Sequence, residues 1–398
     1  MKQLLIPFLM LATGISAAGQ TTIRRPDGRR MRTSDIDRTV QQLMDTAGVT
    51  GLCLAMIQDN RPVYVQAYGY RNKPLRQHND TATCFYGASL SKAVFAYLVM
   101  RLVDQGIIDL DKPLFRYLPR PLPEYDNYKD LAGDDRWKLL TGRHCLDHTT
   151  GFPNWRWFNP KGGAKLGFFF TPGQRYAYSG EGLTLLQFVI ETITGRSLET
   201  LAEENVFKPL GMTRTSYVWQ PFFENDYAVG HLAKGDTIPN KKRAKPNAAG
   251  SMETTIGDLG RFFAAVLRGE GLSATAMQQM LTPQVSIFSR RQFPSLDTAT
   301  TRDNQAIRLS YGLGWDLFLT PYGKACFKEG HDDGWGHFAL CLPQQHAAVI
   351  VMTNSDNGES IFQKLFGQLA DVTIPWQWEN YRPFTATPRP PAHLQKSR

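Results

Sequence analysis

The chain has 398 residues, 42% hydrophobic and 20% charged, which is the composition of a folded protein of one large domain or two closely packed ones. Its net charge is +9, but the basic excess lies in short stretches at 24–32, 241–245 and 382–398. Nucleic-acid-binding proteins concentrate basic residues on one folded face, so we expect no nucleic-acid partner.

The N-terminus has the pattern of a secretory signal peptide, predicted over residues 1–18. Lys2 is followed by the apolar stretch 4–12 and by small residues at 16–18 that suit a cleavage site. That stretch is too short to span a bilayer, and no later segment is apolar enough to do so. We therefore expect a periplasmic or secreted protein without a membrane span, whose basic segments could contact the cell envelope. The alternative is a buried N-terminal helix. The five cysteines form no C-x-x-C pair, which leaves disulfide pairing open.

Composition and periodicity divide the rest of the chain into a linker, a folded domain and a tail. Residues 19–33 are rich in arginine and predict an unstructured basic linker, residues 34–375 the folded domain, and the proline-rich basic residues 383–398 a disordered tail. In chain order the predicted elements are helix 34–44, strands 51–57 and 62–70, a helix from 89 to 104, helices 137–147, 183–194, 197–207 and 255–267, strands 311–318, 338–342 and 347–353, and helix 360–370.

Strands at both ends of the folded domain enclose a mostly helical middle. The simplest arrangement is an α+β fold with one central antiparallel sheet built from both termini and flanked by helices. The middle, at about 110–300, is expected to form a mostly helical lobe. A cleft between two such parts is the usual place for a ligand.

The Ser-x-x-Lys segment at residues 89–92 opens the apolar run 93–102, which predicts a buried helix. Residues three apart lie on the same helix face, so the Lys92 amine would stand beside the Ser89 hydroxyl. Serine needs an adjacent base to act as a nucleophile, and lysine can be that base when burial or another cation lowers its pKa. The helix N-terminus adds partial positive charge where an oxyanion would form. The alternative is a capped helix with a solvated lysine.

Two further segments place polar groups in turns. Tyr178 follows a rigid Pro-Gly turn and precedes a helix, so its phenol could reach the cleft and relay protons near a lysine. The glycine-rich segment 330–336 precedes a strand, and its backbone N–H groups and His331 could face a ligand. Taken alone, Tyr178 could be a packing aromatic and 330–336 an ordinary turn. His144-x-x-x-His148 lacks the glutamate of a metalloprotease motif, and we expect no metal site.

In this order and spacing, the segments resemble the serine β-lactamase and penicillin-binding-protein superfamily. The resemblance is strongest to the branch that contains class C β-lactamases, serine esterases and D-amino-acid peptidases. It runs from residue 36 to residue 370 and rests on Gly87 to Lys92, Leu146 to Pro153, Pro172-Gly173 with Tyr176 to Gly180, Pro209 to Met212, Gly330 to Gly334 and Val349 to Asn354. It implies a β-lactamase/transpeptidase-like fold.

The resemblance also implies roles for individual residues. Ser89 would be the acylated nucleophile, Lys92 its base and Tyr178 a second proton shuttle. His331 would stand where relatives have a lysine or histidine on the strand at the cleft edge. The backbone N–H groups of Ser89 and Gly334 would form the oxyanion hole. Acyl transfer to serine followed by hydrolysis needs no metal and no organic cofactor.

Two positions depart from the family pattern. Relatives have Tyr-x-Asn, whereas this chain has Gly180 at the asparagine position. The third motif is His-Asp-Asp at residues 331–333 instead of Lys-Thr-Gly, and Asp333 would add negative charge where a substrate carboxylate often binds. Both departures weigh against β-lactam turnover. Residues 125–127 have the Tyr-x-Asn pattern but lie too near the nucleophile in sequence, so Tyr178 is preferred.

The leading prediction is a secreted serine hydrolase, of esterase or peptidase type, acting on an ester or amide bond of a small-molecule or peptide substrate. A β-lactamase or D,D-peptidase that compensates for the altered motifs is the first alternative. A non-catalytic, penicillin-binding-like module that kept the cleft is the second. Substrate choice is expected to lie in the loops at 117–128, 155–157 and 221–250.

Overall fold

A nine-stranded antiparallel sheet forms the centre of the molecule in the computed structural model, which describes residues 22–381 and residue 383. The strands are β1 (Thr22–Arg24), β2 (Arg30–Arg32), β3 (Gly51–Gln58), β4 (Arg61–Asn72), β5 (Gln77–His78), β6 (Phe85–Tyr86), β7 (Gly230–His231), β8 (Thr237–Ile238), β9 (Glu253–Thr254), β10 (Val285–Ser286), β11 (Ser310–Tyr311), β12 (Asp316–Thr320), β13 (Gly323–Asp332), β14 (Trp335–Leu342) and β15 (Ala347–Thr353). The helices are α1 (Thr33–Ala47), α2 (Leu90–Asp104), α3 (Gly142–Leu146), α4 (Gly180–Thr194), α5 (Leu198–Ala202), α6 (Ile256–Arg268), α7 (Ala274–Met280) and α8 (Glu359–Ala370).

Both ends of the folded domain contribute to this sheet, whose order is β10-β11-β12-β13-β14-β15-β3-β4-β5. β15 pairs with β3, with Val351 opposite Leu54, so the last strand lies beside the first long one. The turn between β3 and β4 has φ values of 50° at Asp59 and 60° at Asn60, as a tight two-residue hairpin turn requires. The predicted α+β architecture, one antiparallel sheet built from both termini and flanked by helices, is confirmed.

Helices cover both faces of the sheet because successive strand residues point to opposite sides. Leu54 lies in a core with Ile36 of α1 and Phe362 of α8. Its chain neighbour Ala55 lies in a second core on the other face, with Phe262 of α6. A strand that is buried on both faces is apolar throughout, which explains the unbroken apolar run of β3.

The helical region that follows α2 is assembled around that helix. α2 contacts α5 and α7, and α3 contacts α4. α6, which falls within the predicted lobe at 110–300, packs instead on β3, β4 and β15. Its buried Leu259, Phe262 and Val266 form one apolar stripe that the sheet covers. The lobe is therefore smaller than predicted.

The sequence pattern does not predict β13, which pairs with both β12 and β14. Lys324, Lys328, Glu329 and His331 break the apolar alternation of this strand, and charged residues usually indicate a solvated segment. The structure buries Lys328 and Glu329 all the same. The predicted turn at 330–336 is the end of β13, a two-residue turn and the start of β14.

The predicted unstructured linker at 19–33 is wrong for the residues that the structure describes. β1 and β2 pair as a hairpin. Ile23 is buried, and Arg25 forms ion pairs with Asp27 and Asp371. The buried side chain of Ile23 and the ion pairs of Arg25 thus hold this segment against the folded domain, although its composition indicates a solvated linker.

The predicted signal peptide at 1–18 and, apart from Pro383, the predicted tail at 383–398 lie outside the described residues. Within residues 22–381, no helix has the length and apolar character that crossing a membrane requires. All five cysteines are buried free thiols, and Cys326 and Cys341 lie opposite each other on β13 and β14.

Candidate active site

A cavity of about 870 Å³ lies where α2, the start of α4 and the end of β13 meet. It brings together Ser89, Lys92 and Tyr178, which the sequence analysis selected from two distant segments. Most of the remaining lining residues come from the segments 154–158, 241–251 and 379–381. Two of the predicted specificity loops, 155–157 and 221–250, thus reach the cavity, whereas 117–128 is not part of its lining.

Ser89 stands at the N-terminal cap of α2, where a sharp turn joins β6 to the helix. Ala88 in this turn has a φ of 45°, a left-handed conformation that non-glycine residues adopt only where the surroundings impose it. Lys92 follows one helical turn after Ser89, and its Nζ donates to Ser89 Oγ at 2.9 Å and to the Ala249 carbonyl at 2.6 Å. The three-residue spacing thus places the amine beside the hydroxyl.

Lys92 is enclosed by protein, which is rare for a lysine. Burial, and then the neighbouring ammonium of Lys328, lowers the pKa of Lys92 to about 7, while the charge of Glu329 opposes the shift. A substantial fraction of such an amine is neutral at neutral pH. It can therefore accept a proton from the hydroxyl that it contacts.

Tyr178 is held by the segment that enters α4. The next residue, Ser179, caps the helix by accepting a hydrogen bond from the Gly182 N–H, and its hydroxyl donates to the Pro153 carbonyl. The His148 ring lies 4.3 Å from the Tyr178 ring, measured between centroids. Its Nδ1 accepts from the Ser179 N–H at 3.2 Å. His148 is thus engaged in positioning this segment.

Two lysine amines lie close to the Tyr178 ring. Lys92 Nζ and Lys328 Nζ each stand 4.9 Å from its centroid. Its hydroxyl is buried and has no hydrogen-bond partner among the residues described. Burial raises the pKa of Tyr178 above its ordinary value, whereas Lys328 and the nearby Ser89 hydroxyl lower it. The phenol is therefore protonated, and it faces the cavity that contains the serine.

Lys328 is a candidate site residue that the sequence analysis missed. Its side chain is 0% exposed, donates to Glu329 at 2.7 Å and lies 3.4 Å from Asp316. Burial by itself lowers the pKa of Lys328, but the charge of Glu329, together with that of Asp316, outweighs it and raises the pKa. A permanent positive charge therefore stands beside Tyr178.

The sequence contains a signal for Lys328, three residues before the predicted third motif at 331–333. Lys-Glu-Gly at 328–330 keeps the lysine and the glycine of the family's Lys-Thr-Gly. A Cβ on Gly330 would stand 2.9 Å from the Gly87 carbonyl oxygen, so glycine is what lets β13 approach the nucleophile turn. The position of Lys328 beside the Tyr178 ring makes 328–330 a second candidate for the third motif, which the sequence analysis assigned to 331–333.

Of the three residues assigned from that register, Gly334 and Asp333 lie differently from expectation, whereas His331 lies on the strand at the cavity edge. The Gly334 N–H donates to Asp356 Oδ1 at 2.5 Å, so it is not free to bind an oxyanion, and the prediction for Gly334 is wrong. Asp333 lines a separate cavity of about 100 Å³ instead of the main one. His331 does line the main cavity, but Glu359 Oε1 lies 2.6 Å from its Nδ1 and raises the pKa of His331 to about 9.

Trp155 occupies the space that an asparagine at position 180 would need. A Cβ on Gly180 would stand 2.8 Å from the Trp155 indole, whose centroid is 6.0 Å from Lys92 Nζ. Trp157 stacks on Trp155 at 5.0 Å and remains 60% exposed. At this point the cavity is thus lined by the Trp155 indole, where relatives have an asparagine amide.

The described residues do not form the ligand set that a metal ion needs. Within residues 22–381, no three His, Cys, Asp or Glu side chains cluster in a way that could hold a metal ion. The available chemistry is that of a serine hydroxyl, a neutral amine, a phenol and a fixed ammonium group.

Known proteins share this sequence over most of its length. The Beta-lactamase family model matches residues 36–373. The D-alanyl-D-alanine-carboxypeptidase/endopeptidase AmpH of Escherichia coli K12 is 24% identical, over 87% of this chain and 91% of the relative. Penicillin-binding protein 4* of Bacillus subtilis is 22% identical, over 78% of this chain and 71% of the relative.

Solved structures share the fold. The D-alanine carboxypeptidase AmpC from Burkholderia cenocepacia superposes with a TM-score of 0.67 at 19% identity, covering 85% of this chain and 99% of that one. The octameric penicillin-binding protein homologue from Pyrococcus abyssi gives 0.66 at 21% identity, covering 82% and 74%. Because the family model spans most of the sequence, the chain belongs to the Beta-lactamase family, within the serine β-lactamase and penicillin-binding-protein superfamily.

Proposed function

We propose that the chain is a serine hydrolase that forms an acyl-enzyme on Ser89 and hydrolyses ester or amide bonds, as an esterase or a peptidase. The observation that carries this proposal is the 2.9 Å contact between Lys92 Nζ and Ser89 Oγ. Burial there lowers the pKa of Lys92 to about 7, so the amine can act as a base for the hydroxyl. Export to the periplasm, which the predicted signal peptide favours, belongs to the same proposal.

Acylation begins when Ser89 Oγ attacks the substrate carbonyl carbon and its proton passes to Lys92 Nζ. The oxyanion is stabilised by the Ser89 N–H at the start of α2 and by an N–H on β13. β12 pairs with β13 only as far as Phe327, so within the described residues 22–381 no strand pairs with residues 328–332 on that side. With the third motif at 328–330, His331 takes the backbone role first given to Gly334.

The leaving group departs with a proton from Tyr178, which regains one from Lys92. This relay is supported by the closeness of the Tyr178 ring to Lys92 Nζ and Lys328 Nζ, each 4.9 Å from the ring centroid. Water then attacks the ester on Ser89 and gives its proton to the Lys92–Tyr178 pair. The pair returns that proton to Ser89 Oγ as the bond between Oγ and the acyl carbon breaks, which releases the carboxylic acid and restores the serine hydroxyl.

D,D-carboxypeptidase or β-lactamase activity is the second candidate. It is favoured by the names of the relatives and by the lysine and glycine at 328–330. The absence of an asparagine at Gly180 and the carboxylate of Glu329 at the threonine position weigh against it. Turnover of a chromogenic cephalosporin separates the candidates, and a rate no better than that of free hydroxide excludes a β-lactamase.

Labelling with a fluorophosphonate, followed by intact-mass measurement, tests the leading proposal. We expect one adduct on the parent protein and none on Ser89→Ala. Ser34→Ala removes an exposed hydroxyl that does not line the cavity. It serves as the matched control, which should still form the adduct. Absence of an adduct on the parent would favour the non-catalytic module instead.

A further inference from the structure

Three glutamates line the cavity, and two of them have a cationic partner. Glu329 accepts from Lys328 at 2.7 Å, and Glu359 pairs with His331 at 2.6 Å. Glu379, which follows α8, is only 4% exposed. Neither of its carboxylate oxygens has a hydrogen-bond partner in the part of the chain that the structure describes. One buried acid in the site thus lacks the partner that the other two have.

We propose that Glu379 binds an ammonium group of the substrate, so that the enzyme selects esters or amides that carry a positive charge. This inference rests on the proposed hydrolase function and specifies its substrate class. Burial of a carboxylate is unfavourable unless the charge is paired and hydrogen-bonded. A substrate ammonium supplies both the opposite charge and the hydrogen-bond donors.

The other basic side chains at the cavity are engaged with other groups. Lys241 pairs with Asp332 at 3.1 Å, and Arg243 lies 3.6 Å from Glu253. Lys92 donates to the catalytic serine and to a backbone carbonyl. Among the described residues, none of these cations is hydrogen-bonded to Glu379, and a substrate ammonium group is the partner that we assign to it.

Neighbouring groups fix Glu379 and favour a cation beside it. The Gln292 N–H donates to the carbonyl of the preceding residue, Trp378, at 2.9 Å, and its side chain donates to Glu329 at 3.5 Å. Burial, and then the charge of Glu329, raises the pKa of Glu379, and a bound cation would counteract both effects. Tyr381, two residues further on, lines the same cavity.

The same charges disfavour an anionic substrate group at this end of the cavity. A terminal carboxylate placed beside Glu379 would meet a buried acid that has no hydrogen-bond partner among the described residues. This end of the cavity is therefore expected to select a positively charged substrate group, whereas recognition of a free carboxylate selects a negatively charged one. This distinguishes the inference from what the names of the carboxypeptidase relatives alone suggest.

Matched substrate pairs test the inference on the full-length protein. One pair is para-nitrophenyl ω-aminohexanoate and para-nitrophenyl heptanoate, and the other is alanine para-nitroanilide with a free or an acetylated amine. We expect kcat/KM to be about tenfold or more higher for the amine member of at least one pair. Glu379→Gln is expected to reduce that ratio about tenfold, whereas a merely structural role would slow both members alike. Glu124→Gln, at an exposed carboxylate outside the cavity, should keep the ratio.

Equal kcat/KM values within both pairs would overturn the inference while the fluorophosphonate adduct on Ser89 still upheld the hydrolase. Loss of that adduct would instead overturn the proposed function. Should Glu379→Gln fail to fold, competition on the unmodified protein replaces it. Butylammonium should inhibit hydrolysis of the neutral ester more strongly than butanol does, and equal inhibition by the two would contradict binding of a cation.

Discussion

At the scale of single residues, the site depends on two buried lysines with opposite protonation. Burial and the charge of Lys328 lower the pKa of Lys92, whereas Glu329 and Asp316 hold the pKa of Lys328 above its usual range. The difference is the number of carboxylates in contact with each amine. One lysine is thus available as a base, and the other supplies a fixed charge.

We expect the rate of Ser89 acylation by a fluorophosphonate to rise with pH and to level off above about pH 7. The neutral form of Lys92 is the base, and burial lowers the pKa of Lys92 to about 7, so the active form is lost as pH falls below that value. Rate constants for labelling from about pH 5 to pH 9 measure this dependence. Lys92→Arg stays charged and should label slowly at every pH. A parent rate that falls across the range would contradict the assignment of Lys92.

We expect Gly180→Asn to lower the free energy of unfolding by about 1–3 kcal/mol, because a new side chain would overpack against Trp155. Trp155→Ala removes the obstructing ring, so the double variant should be more stable than the sum of the two changes predicts. Urea unfolding of all four proteins gives the coupling energy. Strictly additive effects would mean that the indole is not what excludes a side chain at position 180.

At the scale of elements, the reacting groups lie where helices begin and where a strand ends. Ser89 precedes α2 and Tyr178 precedes α4, so both helix N-termini direct partial positive charge toward the cavity. β13 brings Lys328 between them, and among the described residues no strand pairs with it beyond Phe327 on the β12 side. The elements thus position a nucleophile, a phenol and backbone donors without requiring mobile loops.

We expect Ser179→Ala to lower the free energy of unfolding by about 1–2 kcal/mol and to slow acylation, because the cap of α4 holds the segment that carries Tyr178. Ser273, the N-cap of α7, is the matched control. Ser273→Ala should lower stability without slowing acylation, since α7 does not line the cavity. Urea unfolding and labelling rates measure both effects. Equal labelling rates in the two variants would show that the cap does not position the tyrosine.

At the scale of the whole molecule, the segment after α8 packs in the core against the sheet and also lines the cavity. Trp378 is almost completely buried, and its Nε1 donates to Ser289 Oγ at 3.1 Å. Its carbonyl accepts from Gln292, and Glu379 follows it directly. Residues 379–381, near the end of the described chain, thus line the same cavity as Ser89, which lies far earlier in the sequence.

We expect Trp378→Ala to lower the free energy of unfolding by about 3–5 kcal/mol, because it leaves a large cavity in the core beneath the site. Trp157→Ala is the control, since that indole is 60% exposed and its loss should change stability by no more than about 0.5 kcal/mol. Urea denaturation compares the two variants. Identical midpoints would mean that the segment after α8 does not contribute to the stability of the fold.

The sequence by itself determined the features that depend on local spacing. Lys92 lies beside Ser89 because residues three apart share a helix face, and the apolar runs at both ends predict the shared sheet. The position of Tyr178 followed from a family pattern, whose order and spacing are also properties of the sequence.

The tertiary structure alone decided which charged groups are buried and what they contact. Lys328 and Glu329 have the composition of a solvated segment, and only their pairing with each other and with Asp316 makes a buried strand there favourable. Glu379 reaches the cavity from the other end of the chain. The Lys-Glu-Gly pattern at 328–330 is visible in the sequence, but the cost of burying a charge depends on partners that are distant in sequence, so no local pattern shows that Lys328, Glu329 and Glu379 are buried.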